Sequence, residues 1–249
     1  MPLVRTGAPG LVVARSQVYQ CNKGPIELST VWSEMPKPRT NGARPQRRNP
    51  VNTRKKLLTA ARREFAKSGL AGARVDEIAA RAGVNKQLLY HYFGDKDALY
   101  VAVLEWVYEE IRSHERKLNL EGLPPEQAIK KLIESSFDHL ALHPDFIVLL
   151  NDENRNRARH VRASLRIEDM HSPLVSMVST ILKQGVRAGT FRKGVNPVHL
   201  YISIAGLSYF FFSNTPTLSA IFGRDLSSAT AKRARRRHVV DLVMQALRP

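Results

Sequence analysis

Four side chains between residues 86 and 91 are suited to reading a nucleic acid: Lys86, Gln87, Tyr90 and His91. An ammonium group can donate to guanine, and a carboxamide can both donate to and accept from adenine. A phenol and an imidazole can hold phosphate oxygens. At 100° per residue these four fall within a helical arc of about 140°. Leu88, Leu89 and Tyr92 fall on the opposite side. A helix over 86–93 thus has one face for packing and one for base edges and phosphates. A helix this short is unstable alone, so other elements must hold it.

The preceding residues supply the holder. Val75, Ile78, Ala79 and Ala82 repeat at i, i+3, i+4 and i+7, the stripe of a helix with one buried face. Gly83 can end that helix at positive φ, and Asn85 can cap the next one. The small residues Ala79, Ala80, Ala82 and Gly83 allow a close crossing and a tight turn, the helix-turn-helix arrangement. The alternative is an ordinary amphipathic surface helix. The shortness of 86–93 and the small residues before it weigh against that.

The run from Thr53 to Leu99 resembles the N-terminal domain of the TetR family of bacterial transcriptional regulators. The resemblance is carried by TRKKLLTAARREFAKSGLAGA and VDEIAARAGVNKQLLYHYFGDKDAL. It implies an all-α fold: an N-terminal three-helix helix-turn-helix domain followed by a helical ligand-binding and dimerisation domain. It also implies a homodimer on a palindromic operator, a repressor released by a small-molecule effector. The alternative is a constitutive or activating DNA-binding protein without an effector. Lys86 and Gln87 are then the base contacts. Arg54, Arg74, Tyr90, His91, Tyr92 and Lys96 are the phosphate contacts, with Tyr90 and Lys96 carried over from matching family positions. Tyr92 is contested, because the family often sets it against phosphate while the wheel turns it inward. The sequence departs from the pattern at Ala73 and Arg74, where the family has a Thr or Ser cap. There Asp76 can serve the helix dipole and Arg74 a phosphate. The segment HPDFIVLLNDEN resembles the branch of the family that contains the pyrimidine-catabolism regulator.

Composition agrees with a polyanionic partner. The 249 residues hold 39 Lys and Arg against 22 Asp and Glu, a net charge of +17. From residue 37 to residue 67 there are eleven cations and one acid, Glu64. Such an arm beside a helix-turn-helix can follow phosphates or enter the minor groove. Its rivals are a solvated charge run, a charge-driven DNA-packaging protein and a membrane-surface protein. The single cysteine, Cys21, excludes an internal disulfide and a cysteine metal cluster, which fits a reducing cytoplasm. No run reaches the length of a membrane helix, so no membrane partner is expected, and the site of action is the cytoplasm, in association with the nucleoid. No phosphate loop, HExxH or nucleophile elbow occurs, so neither an enzyme nor a cofactor is expected. His139 and His143 stand at i, i+4, but no full metal-ligand set accompanies them.

Three divisions follow: a disordered basic extension over 1–50, the DNA-binding domain over 51–97, and the ligand-binding and dimerisation domain over 98–249. Met35 reads as the natural initiator, with a transit peptide as the rival for the stretch before it. The first helix spans about Thr53 to Ser68, with Gly69 its stop. Asp95 caps a lever helix that leaves the reader for the body. Further helices are expected over about 126–142, from 145, up to 188, from 197 and over 227–247. Their inward stripes give the candidate ligand pocket: Trp106, Phe137, Phe146, Leu150, Glu153, Met170, Leu174 and Met177. Glu153 stands out as an acid on an apolar face, unless the buried face simply ends there. The helix from Pro197 is apolar nearly all round, which implies burial on two sides. The candidate dimer interface is therefore Leu200, Ile204, Leu207 and Phe211 with Val239, Val240, Val243 and Leu247.

Overall fold

The computed structural model describes residues 50–249, without the side chains of 171 and 172. The basic extension, its arm up to Arg48 and the readings of the chain start lie outside the described residues. Among the described residues there are eleven α-helices, one 3-10 turn and no strand. The helices are α1 (Pro50–Gly72), α2 (Val75–Ala82), α3 (Lys86–Phe93), α4 (Lys96–Arg116), α5 (Pro125–Leu142) and α6 (Pro144–Arg155). They continue with α7 (Arg159–Ala163), α8 (Leu165–Arg187), α9 (Pro197–Ser213), α10 (Thr215–Phe222) and α11 (Ala229–Leu247). The 3-10 turn is Leu120–Gly122. No helix of the described residues is long and apolar enough to cross a membrane.

Local chemistry sets the boundaries. Gly69 adopts φ 66° and kinks α1 where the sequence predicts its end, and the chain resumes a helical turn to Gly72. Gly83, at φ 68°, closes α2, and the Val84 amide bonds Ala79 O at 3.0 Å. Asn85 accepts from the Leu88 amide at 2.8 Å and Asp95 from the Ala98 amide at 2.7 Å. Asn196 caps α9 by accepting from the amides of Val198 and His199, with Pro197 at the first helical position. At α2 the cap position is held by Arg74, whose side chain makes no capping bond, while Ala73 is buried.

Two apolar cores result. The first gathers Leu57, Phe65, Ile78 and Leu89 from α1–α3, then continues into Tyr100 and Leu104 of α4 and Phe146 and Leu149 of α6. Phe65 meets Tyr100 edge-on at 5.0 Å. The core of the reader therefore runs past residue 97 into the body. The second core joins α5, α8, α9 and α11 through Ile129, Ile133, Val178, Ile181, Ile204 and Val239. Its rim includes a close approach: Phe191, buried after α8, lies so near Gly185 that a Cβ there would sit 2.0 Å from the ring.

Candidate nucleic-acid interface and ligand cavity

α3 shows the two-faced character its sequence predicts. Leu89 is fully buried, whereas Lys86, Gln87, Tyr90 and His91 are exposed. Lys86 Nζ lies 3.1 Å from Asp76 Oδ1, across the turn on α2, and 6.0 Å from the Tyr90 ring centre. The Asp76 hydrogen bond and charge hold the ammonium pKa above its usual value. Tyr92 is half-buried against the first core, with the His91 ring edge-on at 5.8 Å. Arg54 places its guanidinium 5.4 Å from the Phe93 ring centre, and Arg74 is exposed. Lys96 is half-buried, and its Nζ donates to Ala71 O and Ala73 O at 3.4 and 3.3 Å, closing the α1–α2 connection. Lys86, Gln87, Tyr90, His91, Arg54 and Arg74 thus stand on exposed surface, while Lys96 is engaged within the protein.

α6 fastens α1 to the body at both ends. Asp145 bonds Arg62 of α1, and Glu110 of α4 bonds the same guanidinium at 2.5 Å. About ten Å of helix later, at roughly 1.5 Å per residue, Asp152 Oδ2 accepts from the Leu70 amide at 2.8 Å, just after the Gly69 kink. The opposite face of α6 presents Phe146, Leu150 and Asn154 to a cavity of about 530 Å³ between α4, α5, α6 and α9. Tyr108, Arg112, His139, Tyr201 and Tyr209 line it as well. Burial, with His143 and His114 beside it, lowers the His139 pKa to about 4, so the ring is neutral at neutral pH. His139 and His143 lie ring to ring at 4.3 Å, and among the described residues no group of three metal-ligating side chains forms.

The expected pocket residues separate. Phe146 and Leu150 line this cavity, while Met170, Leu174 and Met177 line another of about 390 Å³ between α4, α8 and the 3-10 turn. Trp106 lies under the Arg62 guanidinium at 5.4 Å, and Phe137 packs on Phe212 at 4.7 Å; neither reaches either cavity. Glu153 is a correction. It is fully buried, and its carboxylate accepts from the amides of His160 and Val161 at 2.7 and 3.0 Å and contacts His160 Nδ1 at 2.9 Å. It caps the start of α7 and lines neither cavity. The residue that sequence reasoning missed is Arg112, a buried cation in the apolar stripe of α4 between Tyr108 and Glu115.

The expected dimer residues also need correction. Leu200, Ile204, Phe211, Val239, Val240, Val243 and Leu247 are buried within the protomer, and Leu207 is half-buried against the second core. The outward faces carry other residues. On α9 these are Val198, His199, Ile202, Ser203, Gly206 and Phe210; on α11 they include His238 and Leu242. Phe210 is 57% exposed and Leu242 44%.

Residues 57–103 match bacterial regulatory proteins, tetR family, and residues 125–243 match the tetracyclin repressor-like, C-terminal domain. The HTH-type transcriptional repressor NicS of Pseudomonas putida (strain KT2440) is 34% identical over 210 residues, 84% of this chain and 98% of the relative. The HTH-type transcriptional regulator RutR of Escherichia coli (strain K12) is 27% identical over 209 residues, 82% of this chain and 95% of the relative. The crystal structure of the transcriptional regulator SCO4942 from Streptomyces coelicolor is similar with a TM-score of 0.59 and 27% identity, covering 79% of this chain and 99% of that one. With a capped helix-turn-helix at one end, a helical body at the other and matches along both, the chain belongs to the TetR family of bacterial transcriptional regulators, which are ligand-responsive DNA-binding repressors and not enzymes.

Proposed function

We propose that residues 51–97 form the DNA-binding unit and 98–249 the ligand-binding and dimerising body of a cytoplasmic, nucleoid-associated repressor. Two copies join through the outward faces of α9 and α11, where Ser203 and Gly206 allow close helix approach and Ile202, Phe210 and Leu242 supply apolar surface. The dimer sets two α3 helices into successive major grooves, about one turn apart or somewhat more. Lys86 and Gln87 meet base edges, which for Lys86 requires release from Asp76. Arg54, Arg74, Tyr90 and His91 meet phosphates, and Tyr92 contributes its phenol from a half-buried ring. Lys96 lends positive charge from its seat on the α1–α2 connection.

The observation that carries ligand control is the two-sided use of α6. One face bonds α1 through Asp145 and Asp152, and the other lines the 530 Å³ cavity. A small molecule that fits best with α6 displaced moves α1 with it and favours a state whose readers are wrongly spaced. Affinity for the operator falls by the ligand's preference for that state. Genome-wide mapping of bound sites in the native host tests this reading. The expected result is a palindromic motif with half-sites spaced for two grooves. Scattered binding without a motif would return the protein to the charge-driven alternative. Sedimentation of Phe210→Glu is the companion test: it should shift the protein to monomers, and an unchanged dimer would place the interface elsewhere.

A further inference from the structure

Arg112 is a buried charged group on the 530 Å³ cavity whose hydrogen bonds are incomplete. It is 3% exposed, yet its Nε and Nη1 have no hydrogen-bond partner within the chain. Nη2 donates to the Tyr201 hydroxyl at 2.8 Å. Nη1 lies 2.8 Å from Glu115 Oε2 without hydrogen-bond alignment, and that oxygen is itself unpartnered. Buried donors are costly unless bonded, and a guanidinium forks naturally onto a planar carboxylate. Around Arg112 the cavity wall is built from rings: Tyr108, His139, Phe146, Tyr201 and Tyr209. Planar rings pack well against such walls. The volume falls within the usual range for small-molecule sites, about 300–1,000 Å³.

We propose that this cavity takes a compact ligand bearing one carboxylate on a planar ring, the carboxylate held by Arg112 and Tyr201 and the ring by Tyr108, Phe146 and Tyr209. The inference rests on the reading of the cavity as the effector site. Glu115 is the internal competitor for Arg112. Burial, opposed by Arg112 and Arg116, pushes its carboxyl up to about 7. The other titratable groups on the two cavity walls are Tyr108, His114 and Arg116 on α4, His139 on α5, Tyr201 and Tyr209 on α9, and Glu121 in the 3-10 turn. When Glu115 takes up a proton, Arg112 loses its counter-charge, and a ligand carboxylate supplies it again. Ligand binding is therefore coupled to proton uptake at Glu115, and affinity rises as pH falls from 8 to 6.

Calorimetric titration of the full chain with benzoate, phenylacetate and indole-3-acetate, each beside its primary amide, tests the proposal. At least one acid should bind at least 10-fold more tightly than its amide, and more tightly at pH 6 than at pH 8. Arg112→Met should abolish binding. Tyr201→Phe, which keeps the ring and the packing, should weaken it several-fold with an unchanged melting profile. Glu115→Gln should retain binding and lose its pH dependence. Amides binding as well as acids, no binding of any acid, or Tyr201→Phe binding like the parent would overturn the proposal. Two results separate it from the reading beneath it. Acids that bind through Arg112 but leave operator affinity unchanged uphold the ligand class and remove the effector role. An uncharged ligand that occupies the cavity and releases DNA does the reverse.

Discussion

Gly185→Ala should change sign with its neighbour. In an unobstructed helix interior, Ala is favoured over Gly by about 1 kcal/mol. Here the new Cβ would lie 2.0 Å from Phe191 Cδ2 and 2.6 Å from Cγ and Cε2. Those atoms belong to the body of a ring and cannot give way by a small rotation. The ring is 3% exposed in the second core, so it must leave its seat. Losing a buried Phe from a core costs about 3–5 kcal/mol. Subtracting the helix gain leaves a net destabilisation of about 2–4 kcal/mol for Gly185→Ala. Phe191→Ala alone should cost about 3–5 kcal/mol. In that background the three atoms nearest the methyl group are gone, and Gly185→Ala should now stabilise by up to about 1 kcal/mol. Urea denaturation of the four proteins at one protein concentration reads the cycle. The same sign for Gly185→Ala in both backgrounds would refute the packing argument.

Gln87→Ala should cost about 1–3 kcal/mol on the specific site and little on random DNA, as read by fluorescence anisotropy; equal losses on both would end its base-reading role. Lys96→Ala should weaken binding to all sequences and reduce the salt slope by about one unit. It should also lower the melting temperature slightly, since two carbonyls of the α1–α2 connection lose their donor. An unchanged salt slope would confine Lys96 to its structural role. Glu115→Gln concerns stability against pH. The folded carboxyl titrates at about 7 and its ordinary value is 4.5, so between these the unfolded chain ionises first and is favoured as pH rises. Glu115→Gln should therefore match the parent near pH 4 and exceed its stability by roughly 3 kcal/mol at pH 8. Parallel stability profiles would count against the buried carboxyl.

The reader was legible in the sequence because its determinants are local. Gly83, Asn85 and Asp95 act on amides within a few residues, so spacing alone places them. Which faces of α9 and α11 point outward was not legible, for a physical reason. α9 is apolar nearly all round, and such a helix carries no phase to say which side faces its own core. α11 does carry a phase, but its stripe of Val239, Val240, Val243 and Leu247, which the pattern alone assigns to a partner, faces the protomer's own core. α10 was missed because it buries no residue and so has no stripe. Its Pro216 near the start and Gly223 in the left-handed conformation at its end were signals for it. Glu153 reads as a ligand group because its partners, the His160 and Val161 amides, are brought to it only by the fold of α7. Arg112 could have been found as the one cation breaking the apolar stripe from Leu104 through Val107 and Ile111.

The clasp of Asp152 on Leu70 limits how modular this repressor is. A chimera cut near the start of the lever helix joins the reader of one protein to the body of another. In this chain such a cut at residue 97 would carry Leu70 away from Asp152 and Arg62 away from Asp145 and Glu110. The graft would keep its caps, and α3 would still present Lys86 and Gln87. It would retain its sequence preference and lose its obedience to the new body. A responsive chimera has to import an acidic residue opposite the kink of α1 and an acid opposite Arg62, so the useful unit of exchange here is α1–α4 together with α6.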